Sequence, residues 1–256
     1  MRTGIIAIAK NEGLYVREWV DYHLSLGFDR IIIADNDDVL ELSGLSSARV
    51  TVEDYTGVPK VQPKAYTELY RKYRLDFDWI LFIDIDEFVV LDGPRDVKDF
   101  LKPFDCEVVR INCRHMTDSG MLDTDGDHSV LARFTEPYGT PLDALVKSFV
   151  NTRVELQGTE SLYGHGLYGP RDARNALGDE CENGGPQTTR IVHKVCWLDH
   201  HPTKTVGEYI RQKYRRGDAN GHDFRYGNWE RYFFRTNVRT PKKVEYANKL
   251  INELKK

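Results

Sequence analysis

Along the first 112 positions, apolar runs alternate with stretches whose apolar residues recur at helical spacing. Residues 3 to 9, "TGIIAIA", read as a buried strand, followed by "KNEG" and a helix from about Leu14 to Leu26. That helix carries Val16, Trp19, Val20 and Leu24 on one face and is ended by Gly27. "DRIIIADNDD" is a second buried strand running into polar residues, and Val50 to Tyr55 a third, alternating one. Gln62 to about Leu75 reads as a helix and Trp79 to Asp84 as the fourth strand. A helix from Pro94 to Leu101, with Pro in its first turn, and a strand from Cys106 to Asn112 complete this part. Near-continuous apolar strands alternating with helices predict an α/β fold with a mostly parallel sheet covered on both faces. Such sheets receive ligands at the carboxyl ends of their strands. Three strands end in polar clusters, "AKNE", "ADNDD" and "DIDE", which should meet at one edge.

After Asn112 the pattern loosens. "MTDSGMLDTDGDHS" is a polar loop, and "QGTESLYGHGLYGPRDARNALGDECENGGPQ" is rich in Gly, Asn and Asp; a loop that long is usually functional or mobile. Helices return at about Thr205 to Arg216, ended by Gly217, and at Pro241 to Leu254. No linker and no internal repeat divides the chain, so residues 1–112 and 113–256 are expected to form one folding unit.

Composition changes this picture little. At 40% hydrophobic and 30% charged residues, the chain has the make-up of an ordinary globular protein rather than a disordered one. Only five apolar residues in a row precede Lys10, too few for a signal peptide. No run approaches the ~20 apolar residues of a spanning helix. A soluble, cytoplasmic protein is expected. Cys106, Cys113, Cys181 and Cys196 form no C-x-x-C pair, which fits free thiols rather than structural zinc.

Charge is more informative. From Arg190 to Lys256 there are 16 Lys and Arg against 7 Asp and Glu, whereas the whole chain has a net charge of −4. An acidic body with a basic C-terminal part suggests an anionic ligand gripped from that side, or peripheral contact with the inner face of a membrane, where each nearby cation adds about 1 kcal/mol. The aromatics of "RYGNWERYFFR" are expected in a core before any role as membrane anchors or sugar platforms. Nucleic-acid binding is not expected, given the negative total and the absence of a known module.

The chemistry centres on "WILFIDIDEFVVL", residues 79 to 91. Carboxylates inside an apolar run are costly unless paired, by several kcal/mol or so. On a strand, residues two apart share a face, so Asp84 and Asp86 would point the same way. Two such carboxylates repel unless a cation lies between them. Hard oxygen ligands suit Mg²⁺ or Mn²⁺, which keep further positions for water and phosphate oxygens. The alternative is that these acids cap the next segment or pair with arginines. No Walker loop and no G-x-G-x-x-G is present, against a P-loop ATPase or a dinucleotide-dependent dehydrogenase.

"IIAIAKNEGLYVREWVDYHLSLGFDRIIIADND", "VQPKAY", "WILFIDIDEFVV" and "LDHHPTKTVGEYIRQKYRRGD" together resemble glycosyltransferases of the GT-A fold, of the family 2-like and family 92-like groups. The resemblance implies a nucleotide-sugar-binding half (1–112) and an acceptor-binding half (113–256). It implies transfer of a sugar, with inversion, from a nucleotide-sugar (UDP-sugar favoured) to a hydroxyl of a glycan or lipid-linked saccharide, with Mn²⁺ or Mg²⁺. Ala9, Lys10, Asn11, Glu12, Asn36, Tyr66 and Ile85 would line the nucleotide-sugar pocket, Asp35 would meet the uracil or ribose, and Gln62 would shape the floor. Asp84 and Asp86 would form the metal motif, with Glu87 orienting it or the donor. His200, or failing that His165, would complete the metal shell, and Lys213 and Arg216 would neutralise the leaving diphosphate. Asp118 is the first choice for the base, with Glu87 and Asp179 as alternatives. The sequence departs from the family pattern at Cys113, where an aromatic is usual, and at His201, where Tyr is usual.

Two other readings compete. An apolar strand followed by D-x-D also opens haloacid-dehalogenase-like phosphatases, but those usually carry Thr or Val where Phe88 stands, and here three strands precede the motif. A non-catalytic module for nucleotide or glycan would not need an intact metal motif.

Overall fold

The computed structural model describes residues 1–157, 162–164, 166–214 and 228–255. Strand β1 (Thr3–Ala9) lies between β2 (Arg30–Asp35) and β4 (Trp79–Asp84), parallel to both, and β3 (Val50–Asp54) adds outside β2, also parallel. The crossovers are helices α1 (Val16–Ser25) and α2 (Gln62–Tyr73). Alternation of side chains explains the two layers. Ile5, Ala7 and Ala9 of β1 pack with Val16, Trp19 and Val20 of α1, whereas Ile6 and Ile8 pack with Ala65, Tyr66 and Leu69 of α2. A sheet buried on both faces has no need of polar alternation, which is why these strands read as continuous apolar runs.

The expected α/β architecture is present, with corrections at its edges. Pro94 lies outside the first turn of α3 (Val97–Leu101); the helix starts after Asp96, whose side chain accepts the Asp99 N–H at 2.8 Å. The strand expected over Cys106–Asn112 is β6 (Val108–His115), shifted toward the functional edge. Gly27, at φ +94°, does end α1.

The second half joins the same sheet directly. β7 (Val146–Asn151) pairs antiparallel with both β4 and β6, and with β5 (Glu87–Leu91) and β9 (Cys196–His200) the order is β3-β2-β1-β4-β7-β6-β9-β5, with β8 (Ala173–Asn175) beside β6. After Asp84 the chain turns at Ile85–Asp86 into β5 (Glu87–Leu91), which leaves β4 and pairs antiparallel with β9 (Cys196–His200). β9 in turn runs parallel to the end of β6. These registers set Glu87 opposite His200 and His200 opposite His115.

A short helix α4 (Val130–Arg133) follows the polar loop after β6, and the described residues of the C-terminal part include α5 (Val206–Tyr209), α6 (Asn228–Phe233) and α7 (Pro241–Leu254). The helix expected to Arg216 is α-helical only to Tyr209 and continues as a π turn over Ile210–Tyr214. Trp229 and Phe233 from the aromatic stretch pack with Val206, Tyr209, Ala247 and Ile251 in a core of their own, as expected of them. Among the described residues, no helix is long and apolar enough to cross a membrane.

Candidate functional site

The carboxyl ends of β1, β2 and β4 carry the three polar clusters to one edge, as their parallel registers require. Asn11 takes a left-handed backbone, φ +52°, and its N–H donates to the Asp37 carboxylate, tying the first cluster to the second. Ala9 accepts the Asn36 N–H at 2.9 Å, and Lys10 beside it is half-buried. Glu12 caps α1 through its carbonyl, which accepts the N–H groups of Tyr15 and Val16, while its buried side chain faces Lys204 Nζ at 3.5 Å. Asn36 donates from Nδ2 to the Tyr55 and Val58 carbonyls. Asp35 departs from expectation. Its Oδ1 accepts the Asp37 N–H at 3.1 Å and its Oδ2 the Leu42 N–H at 2.9 Å, so the fully buried carboxylate shapes the loop instead of facing a ribose.

Asp84 and Asp86 do not share a strand face, because the turn at Ile85–Asp86 intervenes. Asp84 is surrounded by donors. Gln62 Nε2 reaches its Oδ1 at 2.6 Å with the Tyr66 hydroxyl at 3.3 Å, and Lys147 Nζ reaches its Oδ2 at 2.6 Å. Lys147, 2% exposed, also pairs with Glu87 at 3.2 Å and donates to the Gly164 carbonyl at 2.7 Å. Glu87 closes the turn by accepting the Asp84 N–H at 2.9 Å. Asp86 looks the other way. Lys213 Nζ donates to its Oδ2 at 2.8 Å, and its Oδ1 faces His200 Nε2 at 3.5 Å. Ile85 between them is buried.

Behind His200 stands a second histidine. His200 Nδ1 meets His115 Nε2 at 3.2 Å, and His115 Nδ1 meets Asp143 Oδ1 at 2.8 Å. Asp143 comes from a 3-10 turn, Pro141–Ala144, that packs beside the end of β6. The side chains of Glu87, Cys113 and His200 bring potential ligand atoms within 4.8 Å of one another.

Burial sets the protonation of this cluster. It pushes the Glu87 carboxyl up to about 8, with Lys147 pulling against it and Asp84 and Asp86 adding to it. Burial also opposes charge on Asp86, but Lys213 and His200 outweigh it and hold that carboxyl well below the usual range. The buried His200 ring is lowered to about 4, against the pull of Asp86, so it is neutral at physiological pH. His201, edge-on to Phe88, is lowered to about 3 by burial, and neither ring nitrogen has a hydrogen-bond partner among the described residues.

A cavity of about 160 Å³ opens beside the cluster, its walls including His115, Leu142, His200, Tyr209, Lys213 and Arg235. A larger one, about 510 Å³, lies at Phe100, Phe104, Asp172 and Leu177 and touches none of the acids described above. Size alone would choose the second; the chemistry is at the first.

The donor set fits a divalent cation at Asp86 rather than between the two aspartates. A carboxylate beside a neutral imidazole would suit Mn²⁺ or a later divalent ion better than Mg²⁺, whose ligands are oxygens, and both oxygens of Asp84 already hold donors. Asp118 also has a different place from the one expected. It is buried, its Oδ2 pairs with Lys243 at 2.6 Å, its Oδ1 accepts the Gly120 N–H, and its own N–H donates to Asn237. None of these contacts reaches the Asp84–Glu87 cluster, and the residue anchors α7 to the polar loop. Asp179 pairs with Arg190 at 2.6 Å on an exposed surface. His165 and Arg216 lie outside the described residues.

Lys147, His115 and Asp143 went unnoticed in the sequence. A lysine inside the apolar run "LVKSFV" was the available signal, since a buried lysine demands an acid. His115 and Asp143 carry no local signal, because only strand register brings them together.

No protein-family model matches the sequence. A glycosyltransferase family 92 protein of Oryza sativa subsp. japonica is 31% identical over 105 residues, 39% of this chain and 18% of the relative. Another, of Ricinus communis, is 27% identical over 129 residues, 46% of this chain and 23% of the relative. The similarity to family 92 expected from the motifs is therefore present, over less than a quarter of the relatives' length. Among solved structures, S. aureus TarS residues 1–349 overlap 59% of this chain and 47% of their own, at 15% identity and a TM-score of 0.40, too low to carry an argument.

Proposed function

We propose that the chain is a metal-dependent, inverting glycosyltransferase that moves a sugar from a nucleotide-sugar, UDP-linked in the first instance, to a hydroxyl of a glycan or lipid-linked saccharide. The observation that carries this reading is the meeting of Asp86, Glu87 and His200 at the carboxyl edge of the parallel strands, beside a cavity that Lys213 also lines. A divalent cation held by Asp86 and His200 would stabilise the charge developing on a departing diphosphate. Lys213, already against Asp86, adds a positive charge at the same place. Gln62 and Lys147 hold Asp84 still, and Glu87 ties the turn to both. The Asn11–Asp37 contact fixes the loop over which the nucleotide would lie. The cavity walled by His115 and Leu142 is the place for the acceptor.

Thermal-shift measurements with UDP-, GDP- and CDP-sugars, with and without Mn²⁺, test this directly, because a ligand that binds only the folded state raises the melting point. A UDP-sugar with Mn²⁺ should give the largest rise, and addition of a glycan whose hydroxyl takes the sugar should release UDP. Phosphate release from simple esters, with no response to any nucleotide-sugar, would turn the reading toward a phosphatase.

A further inference from the structure

We infer that Asp143 and His115 are positioning residues that fix His200 in the tautomer whose bare Nε2 faces Asp86, making the His200–Asp86 pair a ready seat for a divalent cation. The inference rests on the metal-dependent reading above.

An ionised carboxylate can only accept, and Asp143 Oδ1 accepts from both the backbone N–H of His115, at 3.0 Å, and its Nδ1, at 2.8 Å. His115 therefore carries its proton on Nδ1. A neutral imidazole has one ring proton, and with that proton on Nδ1 the His115 Nε2 is an acceptor. Its partner is His200 Nδ1 at 3.2 Å, which must donate. That leaves His200 Nε2 with a lone pair, 3.5 Å from Asp86 Oδ1, which is another acceptor. Two acceptors facing each other in a buried site repel, and a cation between them removes the conflict.

Strand register makes the chain of contacts rigid. His115 and His200 are paired residues on β6 and β9, and His200 is opposite Glu87 on β5. The molecule holds another buried histidine in a fixed tautomer by the same means: His23 Nδ1 meets the Trp19 carbonyl at 2.8 Å while Nε2 accepts the Val89 N–H at 3.3 Å. Both His115 and His200 also line the 160 Å³ cavity, so the relay runs along the wall where an acceptor would sit.

Two measurements on the full chain test the inference. Long-range ¹H–¹⁵N correlation of ¹⁵N-histidine protein, metal-free at about pH 8 and assigned with His200→Gln, should show His200 protonated on Nδ1 and bare on Nε2. Mn²⁺ affinity, read from the free-ion electron paramagnetic resonance signal, should fall about 10- to 100-fold in both Asp143→Asn and His115→Phe. The near-isosteric Asn variant covers the case in which the Phe variant does not fold. A proton found on His200 Nε2, or wild-type Mn²⁺ affinity in both variants, overturns the positioning role and leaves the metal reading standing. Wild-type protein that binds no Mn²⁺ overturns the metal reading itself, whatever the tautomer.

Discussion

Asp84 and Asp86 are two residues apart and are held in opposite ways. Asp84 accepts from Gln62, Tyr66 and Lys147, all supplied by α2 and β7 inside the fold. Asp86 is held by Lys213 through one oxygen and faces His200 with the other, both partners coming from the C-terminal part. The difference teaches that a D-x-D pair need not act as a pair: one acid is tied to α2 and β7, and the other is held from the C-terminal part. Substitution separates them. Asp86→Asn should abolish measurable Mn²⁺ binding and lower sugar transfer by ~10³-fold, about 4 kcal/mol at 1.36 kcal/mol per decade. Asp84→Asn should leave Mn²⁺ affinity within about threefold. Equal losses of Mn²⁺ affinity in the two variants would break the comparison.

The Asp84 side can be tested through its cation. Lys147 is the only described cation against Asp84 and Glu87; Lys147 and Glu87 are shut away from water, while the Asp84 side chain is 32% exposed. Lys147→Met removes that charge while keeping the stem's packing, and breaking a buried pair from one side costs about 3–5 kcal/mol. The urea midpoint should fall accordingly. An unchanged midpoint would mean that Asp84 is not part of the folding scaffold.

Asp118 extends the comparison to an acid chosen from sequence as a base. Its ion pair with Lys243 and its turn contacts make it resemble Asp84, not Asp86. Asp118→Asn should cost about 1.5–3 kcal/mol of stability, the worth of hydrogen bonds to charged groups, and reduce transfer less than about tenfold. Loss of a general base would instead reduce transfer by about 10²–10⁴-fold with stability unchanged.

What sequence could show of this arrangement follows from where the information is local. Apolar runs disclosed β1, β2 and β4, and so the edge where their polar ends collect. They could not disclose that the chain breaks at Ile85–Asp86, because "DIDEFVV" continues the apolar rhythm across the turn. The direction of β5 is decided by its pairing with β9, more than a hundred residues away in the chain. The same holds for the histidine pair: His115 and His200 are 85 positions apart in the chain, and only parallel register joins them. Asp35 misled because an acid at a strand end has the same appearance whether it greets a ligand or caps its own loop. Lys147 is the exception, a lysine whose apolar neighbours already called for a buried partner.

Glu208 gives the mildest test of the difference between a saturated and an open acid, and it lies outside the ligand cluster. The side chain is buried. It accepts from Arg133 at 3.0 and 2.8 Å, from the Tyr15 hydroxyl at 2.8 Å and from the Thr205 hydroxyl at 2.6 Å. Burial works against its charge, yet Arg133, Thr205 and Tyr15 together bring its carboxyl from 4.5 down to about 2. A folded-state value below the unfolded one means that the unfolded chain binds the proton first as pH falls. The stabilisation is therefore complete above about pH 4.5 and lost progressively toward pH 2. Urea midpoints measured between those limits should decline in the wild type, and the decline should be shallower in Glu208→Gln, which is less stable at neutral pH but has no carboxylate to protonate. Parallel declines in the two proteins would show that Glu208 is not held as the geometry requires. Mn²⁺ affinity at neutral pH should be the same in both, since a carboxylate whose oxygens are taken up by Arg133, Tyr15 and Thr205 has none to offer a metal.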